Sequence, residues 1–260
     1  SETGIRHRTA ERVARQTGWI VISISQRRNV ITIYKGYSKH VIQDTNKVLT
    51  KANQAIQTLE RYKQVLDQSM ISLSALEFED LVTLHDVATV LQRTEMVMRV
   101  VEEIDKFINE LGTEGRLVNM QLEELLENVE EDGKNVIRDY MVMEDASAYE
   151  EINRKIKNLT SEELLDLHHI GKMLGYSGSL DSLLDMPVFP KGYRILNKIP
   201  RIPATVVQNL IKRFKAFQNI LKASIDELDD VEGIGEVRAR AIKEGLRRIQ
   251  EQVLMDRHMW

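Results

Sequence analysis

The 260-residue sequence contains no cysteine, which excludes disulfide bonds and cysteine-ligated zinc sites and favours a cytosolic protein. Aromatic residues are scarce, at 5%, while leucine, isoleucine, valine and glutamate are abundant, and this balance favours helix. The sequence has no apolar run of the roughly 18–20 residues that cross a bilayer, and its polar first residues do not resemble a signal peptide. We therefore expect a cytoplasmic protein with no membrane partner.

The sequence also lacks an initiator methionine and begins at Ser1, a few residues before a dense polar motif. We expect a fragment whose upstream part has been removed, although a processed or tagged chain would have the same appearance.

Charge is distributed unevenly along the chain. Residues 191–250 hold 13 Lys and Arg against 7 Asp and Glu, so this segment carries +6 while the remainder carries −10. A basic module on an acidic body indicates a polyanionic partner, although a solvated helical surface explains the excess about as well.

The first 43 residues have the pattern of an α/β domain. Residues 7–16 predict a short helix that stops at Gly18, and the β-branched runs 19–25 and 29–36 predict two adjacent strands, with 39–42 as an extension of the sheet. Two or three strands and one helix cannot bury both faces of a sheet. We therefore predict that residues 1–43 are the C-terminal remnant of a larger α/β domain.

The rest of the chain predicts helices, so the fold class is mainly α. Three- and four-residue steps place apolar residues on one face of two long helices: Leu49, Ala52, Ile56, Leu59 and Leu66, then Val97, Val101, Ile104, Ile108 and Leu111. Residues 112–133 predict one more helix, bounded by glycines. We expect a helical spine over 44–172, a Gly/Ser/Pro-rich connector over 173–192, and a helical domain over 193–260.

The segment 231–246 places Gly233 and Gly235 between two predicted helices. Such a turn points backbone N–H groups outward at a helix N-terminus, which forms a pocket for anions. A degenerate copy with Pro200 and Pro203 lies at 197–221. This is the pattern of a tandem helix-hairpin-helix domain that grips the DNA backbone, although a small bundle that uses the glycines only as a turn has the same pattern. The predicted DNA-binding residues are Arg201, Lys212, Arg213, Gly233, Ile234, Gly235, Arg238, Arg240 and Lys243.

Three potential cations, Arg6, His7 and Arg8, are adjacent at the start of the first predicted helix, behind Gly4. The forked N–H donors of an arginine guanidinium match the geometry of phosphate oxygens, and the hydroxyl of Thr9 adds another hydrogen-bond donor. A second basic turn, residues 25–28, lies at a strand end, where ligands dock in α/β sheets. A nucleotide polyphosphate would neutralise these cations, although a solvated basic helix start is the alternative.

The strings SETGIRHRTAERVARQTG (1–18) and VISISQRRNVIT (21–32) resemble the second half of a diadenylate cyclase domain. A cyclase domain, a helical spine and tandem helix-hairpin-helix, in that order, resemble the bacterial DNA integrity scanning (DisA) family. The resemblance implies condensation of two ATP into cyclic di-AMP and pyrophosphate with Mg²⁺ or Mn²⁺. It also implies an octamer, a nucleoid-associated location, and suppression by branched DNA such as Holliday junctions. The implied ATP-binding residues are Thr3, Gly4, Ile5, Arg6, His7, Arg8, Thr9, Ser25, Arg27 and Arg28.

One family motif is missing. The Asp-Gly-Ala string, which supplies the family's metal-binding catalytic carboxylate, does not occur in the 260 residues. We therefore expect no catalytic residue and no metal ligand in this chain, and no cyclic di-AMP synthesis by this polypeptide alone. The alternatives are a non-enzymatic DNA-binding or scaffold protein whose Arg-His-Arg segment only touches phosphate, and a repair-nuclease accessory subunit that shares only the helix-hairpin-helix module.

Overall fold

The structure, a computed structural model, describes residues 4–26, 30–42, 44–143, 148–179 and 182–259. The described elements confirm the mainly α class. In chain order they are α1 (Ile5–Thr17), β1 (Ile20–Ser25), β2 (Val30–Lys35), β3 (Ser38–Ile42), α2 (Thr45–Glu79), α3 (Leu84–Leu111), a 3₁₀ helix (Gly112–Gly115), α4 (Arg116–Leu125), α5 (Val129–Tyr140), α6 (Ala148–Lys157), α7 (Ser161–Leu165), α8 (Leu167–Met173), α9 (Tyr193–Asn197), α10 (Ala204–Phe214), α11 (Phe217–Lys222), α12 (Ile225–Asp229) and α13 (Glu236–Met259).

The chain divides into two compact units. One comprises residues 1–59 and 100–125, and the other comprises residues 60–99 and 126–260. This division cuts through α2 and α3 and does not follow the domain bounds predicted from the sequence, which remain a prediction.

The first unit contains the sheet. Its three strands are antiparallel in the order β1-β2-β3, with Ile22 opposite Ile33 and Ile33 opposite His40, so the predicted strand pair and its extension are confirmed. Helix α1 packs on β1 and β2 through the buried Ala14, and it ends at Gly18, whose φ of 71° is the left-handed conformation that glycine favours. Alternate β1 residues are at least 60% exposed, namely Ile20, Ile22 and Ile24.

The predicted apolar seams of the two long helices are largely buried. In α2, Ala52, Ile56, Leu59 and Leu66 are buried, and Leu49 is half-buried beside the buried Val48. In α3, Val97, Val101, Ile104 and Leu111 are buried, and Ile108 is half-buried. Lys63, where the α2 seam misses a step, forms an ion pair with Asp67 at 2.6 Å, one turn along the helix.

The prediction of one helix bounded by glycines at 112–133 was wrong. Two helices, α4 and α5, cover this segment, and Asn128 between them has a φ of 65°. Gly133 lies inside α5 and does not end it. A Cβ atom built there would lie 2.8 Å from Cγ2 of Thr94 on α3, so the glycine permits a close approach of the two helices.

In the connector, residues 184–188 pack along the start of α3. The Leu84 amide donates to the Met186 carbonyl at 2.9 Å, and the Val188 amide donates to the Val82 carbonyl at 3.0 Å. After it, helices α9–α13 enclose a core of fully buried side chains, which includes Leu196, Leu210, Phe217, Ile220, Leu228 and Ile242. None of the described helices combines the length and the apolar character needed to span a membrane.

A buried polar network fixes the first of these helices, α9, to α2 and α5. It consists of Ser74, Glu77, Asp139, Tyr140 and Arg194. The Asp139 carboxylate accepts hydrogen bonds from the amides of residues 192, 193 and 194 at 2.7, 2.6 and 3.0 Å and thereby caps α9.

The fully buried Arg194 guanidinium supplies the positive charge of this network. It is paired with Glu77 and donates to the Ser74 hydroxyl at 3.0 Å. The Tyr140 hydroxyl donates to the other Glu77 oxygen at 2.8 Å. Burial, followed by the neighbouring Glu77 charge, raises the pKa of Asp139 to about 7.

Candidate phosphate-binding sites

A cavity of about 820 Å³ lies between the start of α1 and the end of β1. Its lining comprises Gly4, Ile5, Arg6 and His7 from α1 and Ser23, Ile24, Ser25 and Gln26 from the strand end. The structure therefore brings five of the predicted ATP-binding residues together. Ser23, Ile24 and Gln26 were missed, although the two-residue strand period places Ser23 on the same face as Ser25.

The α1 end of this cavity is positively charged. The N-cap Gly4 makes no side-chain capping bond, and the first turn contains no acidic residue. The helix dipole therefore adds to the charge of Arg6, and none of the described lining residues carries a carboxylate. This combination favours a polyanion such as a nucleotide polyphosphate.

A buried tyrosine orients His7. The His7 Nδ1 atom lies 3.3 Å from the hydroxyl of Tyr34, which is 1% exposed, and the two rings meet edge to face at 6.5 Å between centroids. Burial raises the pKa of Tyr34, so the phenol stays neutral near pH 7. No local sequence pattern predicts this pair, because its members are 27 residues apart.

The other predicted ATP-binding residues are not in the cavity lining. Arg8 is exposed on α1, and the Thr9 hydroxyl donates to the Ile5 carbonyl at 2.9 Å within the helix. Thr3, Arg27 and Arg28 lie outside the described residues.

The cavity lining does not suit a divalent cation. Mg²⁺ and Mn²⁺ prefer carboxylate oxygens, and the polar side chains among the described lining residues are hydroxyl, amide, imidazole and guanidinium groups. Across the residues that the structure describes, no three His, Asp or Glu side chains are grouped as a metal site.

Two hairpins with the same backbone lie in the second unit. Hairpin 1 (residues 198–203) joins α9 to α10, and hairpin 2 (residues 230–235) joins α12 to α13. At the start of hairpin 1, the Ile199 amide donates to the Leu196 carbonyl at 3.1 Å. In hairpin 2, the Val231 amide donates to the Leu228 carbonyl at 3.2 Å. The degenerate copy seen in the sequence is therefore a structural repeat.

The repeat extends to an unusual torsion. Arg201 in hairpin 1 and Gly233 in hairpin 2 occupy equivalent positions, and both have positive φ, 65° and 84°. Pro203 and Gly235 are likewise equivalent. Each accepts the amide of the residue three positions on, at 2.9 Å from Val206 and 2.8 Å from Arg238.

Hairpin 2 leaves its backbone accessible. A Cβ atom built on Gly235 meets only Asp229 Oδ1, at 4.0 Å, and one built on Gly233 meets only Val206 Cγ2, at 3.5 Å. The neighbouring Ile234 is 7% exposed and anchors the turn in the core. Backbone N–H groups at the start of α13 can therefore approach a phosphate closely.

The predicted cations of hairpin 2 have partners within the protein. Arg238 donates to the Gly233 carbonyl, Arg240 pairs with Glu236 at 2.6 Å, and Lys243 donates to the Leu221 carbonyl at 2.8 Å.

The predicted cations of hairpin 1 and of α10, the helix that follows it, have fewer partners. Arg201 in hairpin 1 and Lys212 and Arg213 near the end of α10 are exposed, and the described contacts contain no side-chain hydrogen bond or ion pair for any of them. The more accessible backbone is therefore in hairpin 2, and the more available positive charge is in hairpin 1 and α10.

Three family profiles match the chain. Residues 1–38 match the nucleotide-binding region of the DisA bacterial checkpoint controller, residues 42–183 match its linker region, and residues 216–245 match the helix-hairpin-helix motif.

Several proteins named DNA integrity scanning protein DisA are similar over the whole chain. The protein of Clostridioides difficile (strain 630) is 58% identical over 259 residues, which are 100% of this chain and 72% of the relative. The protein of Clostridium botulinum (strain Eklund 17B / Type B) is 57% identical over 256 residues, which are 98% of this chain and 71% of the relative. This chain therefore belongs to the DisA family.

Proposed function

We propose that the chain is the nucleotide-polyphosphate-binding and DNA-binding portion of a DNA-scanning diadenylate cyclase, which condenses two ATP into cyclic di-AMP and pyrophosphate. The observation that carries the proposal is the cationic cavity at the start of α1, where Arg6, His7 and Ser25 line one space and no described lining residue carries a carboxylate. The family profile over residues 1–38 supports a nucleotide as the ligand.

In this proposal the residues of the cavity bind and orient phosphate. Arg6 and the N-terminal amides of α1 neutralise phosphate oxygens, and His7, oriented by Tyr34, donates a further hydrogen bond. The Ser25 hydroxyl binds from the strand side. Because the lining does not suit Mg²⁺ or Mn²⁺, the described residues hold ATP without supplying the ligands of the catalytic metal.

The 260-residue polypeptide therefore binds ATP without converting it. We expect Arg6→Ala to weaken ATP binding about tenfold, or about 1.4 kcal/mol, because a charge-assisted contact is lost. Titration calorimetry measures this change. Arg12→Ala, which removes an exposed arginine of α1 outside the cavity lining, is the matched control. Equal affinities of the two variants, or cyclic di-AMP formed from ATP and Mn²⁺ by the wild-type chain, would contradict the proposal.

The two hairpins bind the backbone of branched DNA, such as a Holliday junction, in this proposal. The accessible Gly235 backbone and the exposed cations of hairpin 1 and α10 support it, and so does the family profile over residues 216–245. Contacts of this kind weaken with salt and favour DNA shape over base sequence.

Gly235→Val tests the backbone contact. The added side chain faces open space, so we expect the melting temperature to change little while affinity for a four-way junction falls about tenfold at moderate salt. Calorimetric melting and fluorescence anisotropy measure the two effects. Unchanged junction affinity would refute a backbone contact at this hairpin.

The proposal also covers the oligomeric state of the full-length protein and the regulation of its cyclase activity by DNA. We propose that the full-length protein forms an octamer in the bacterial cytoplasm, associated with the nucleoid, and that junction binding lowers its cyclase activity. Analytical ultracentrifugation and cyclase assays with and without junction DNA test these points. A full-length protein that is monomeric and insensitive to junctions would contradict them.

A further inference from the structure

Hairpin 2 contacts α10, the helix that follows hairpin 1. The Asn209 side-chain amide of α10 donates to the Glu232 carbonyl in hairpin 2 at 2.9 Å. One turn earlier in the helix, Cγ2 of Val206 lies 3.5 Å from a Cβ atom built on Gly233. Both contacts lie within the second compact unit. The first half of α10 therefore sets the position of hairpin 2.

Hairpin 1 is held in a different way. The residue of α13 that corresponds by position to Asn209 is Ala241, whose methyl side chain has no hydrogen-bond donor. Hairpin 1 instead packs tightly on α13, where a Cβ atom built on Gly245 would lie 2.6 Å from Cγ2 of Ile199. The Asn209 bond is therefore not a general requirement of the repeat, and it is a feature of hairpin 2.

The Asn209 bond determines the direction of one N–H group in hairpin 2. In a trans peptide unit the C=O and N–H bonds point in opposite directions. Because the Glu232 carbonyl points toward α10, the Gly233 N–H points away from α10. Gly233 is exposed, and the described contacts give its N–H no acceptor within the protein. This N–H is therefore available to a phosphate oxygen.

We propose that Asn209 is a positioning residue for DNA binding, which keeps the Gly233 N–H directed at a backbone phosphate. The inference rests on the proposed DNA contact of hairpin 2. Arg238 holds the peptide unit after Gly233 by donating to its carbonyl, and Asn209 holds the unit before it. Without Asn209 this unit can rotate, because glycine permits the backbone conformations that the rotation connects. A phosphate must then order the unit when it binds, which lowers affinity.

Asn209→Ala tests the hold on hairpin 2 without DNA. Hydrogen–deuterium exchange of the 260-residue protein, followed by NMR, reports the Ile234 amide, which donates to the Val231 carbonyl at 2.9 Å. We expect this amide to exchange about fivefold faster in the variant, because a hydrogen bond that opposes local opening is lost. The Ile199 amide of hairpin 1 should exchange at the wild-type rate.

Asn219→Ala is the matched control. The exposed Asn219 side chain lies in the same domain, outside both hairpins, and it also donates to a backbone carbonyl, that of Phe214 at 2.8 Å. We expect both alanine variants to shift the melting temperature by about 2 °C or less, because alanine is the better helix former and offsets part of the lost bond. Only Asn209→Ala should speed exchange in hairpin 2.

Junction binding tests the consequence for DNA. We expect Asn209→Ala to weaken affinity for a four-way junction about threefold, because the binding-competent hairpin is less populated, and Asn219→Ala to leave it unchanged. In the Gly235→Val background Asn209→Ala should cause no further loss, because the hairpin 2 contact is already removed. Fluorescence anisotropy measures all four affinities. Equal losses in both backgrounds would show that Asn209 acts elsewhere and would overturn the proposal.

The exchange and binding measurements also separate this inference from the proposed function. Unchanged exchange at Ile234, or faster exchange with unchanged junction affinity, would overturn the positioning role of Asn209. A wild-type protein that does not bind junctions would contradict the proposed function. Exchange, which is measured without DNA, would then still decide whether Asn209 holds hairpin 2.

Discussion

At the scale of single residues, Arg201 and Gly233 have the same left-handed backbone torsion, which affects stability and proposed DNA binding differently. A non-glycine residue in this conformation costs about 1 kcal/mol. Hairpin 2 avoids that cost with glycine. Hairpin 1 has an exposed guanidinium at this position, and the proposed function assigns it a contact with DNA.

Arg201→Gly should therefore have opposite effects on stability and binding. We expect the free energy of unfolding to rise by about 0.5–1 kcal/mol because the torsional strain is removed. Junction affinity should fall severalfold because a cation is lost. Urea unfolding and anisotropy titrations measure both quantities. Gly233→Ala, the reciprocal change, should lower stability by about 1 kcal/mol. A destabilised Arg201→Gly variant with normal DNA affinity would show that neither effect is present.

At the scale of elements, the sequence patterns correctly predicted those helices and strands that depend on residues close together in the chain. The stop at Gly18, the β-branched runs of β1 and β2 and the apolar seam of α3 all follow from neighbours within a few residues. Gly133 was misassigned because its role depends on Thr94, 39 positions earlier in the sequence. Nothing in the local sequence distinguishes a glycine that ends a helix from one that lets two helices approach closely.

Gly133→Ala should destabilise the protein by about 1–2 kcal/mol. The new methyl group meets Cγ2 of Thr94, and the overlap outweighs the gain of about 1 kcal/mol in helix propensity. In the double variant with Thr94→Ser, which removes only that methyl group, stability should return to at least the level of Thr94→Ser alone. Urea midpoints of the four proteins test this, and additive effects would rule out the contact.

At the scale of the whole molecule, the sequence predicted the order of its parts but not the polar groups buried between them. Arg194 and Glu77 are 117 residues apart, and Asp139 is about 55 residues from the amides that it caps. A charged residue without a periodic pattern is expected on the surface, so Arg194 gave no sign of its burial. Five of the eight described lining residues of the cavity at α1 were predicted, and the three that were missed, Ser23, Ile24 and Gln26, all lie at the strand end.

The buried network should give the stability of the molecule a specific pH dependence. The pKa of Asp139 in the folded protein, about 7, is above its usual value of 3.8, so the native state binds the extra proton between these limits. Titration of Asp139 therefore lowers the free energy of unfolding as pH rises from about 4 to about 7, by at most about 1.4 kcal/mol per pH unit, and the slope levels off above about pH 7.

Urea unfolding across this pH range measures the effect. Asp139→Asn should be less stable, because an amide cannot accept all three backbone bonds, and its stability should decline less steeply with pH than that of the wild-type protein. Asp185→Asn, an exposed change, should keep the wild-type slope. Parallel curves for the wild-type protein and Asp139→Asn would exclude titration of Asp139 in this range.

The two hairpin repeats have similar backbone conformations, but the buried network prevents them from exchanging places in the chain. Arg194 in α9 corresponds by position to Asp226 in α12, which is exposed. If the repeats were permuted, a carboxylate would replace the guanidinium beside Glu77, and the buried acids would lose their counter-ion. The two repeats are therefore not interchangeable: the first makes the buried contacts to α2 and α5, and the second has an exposed residue at the equivalent position.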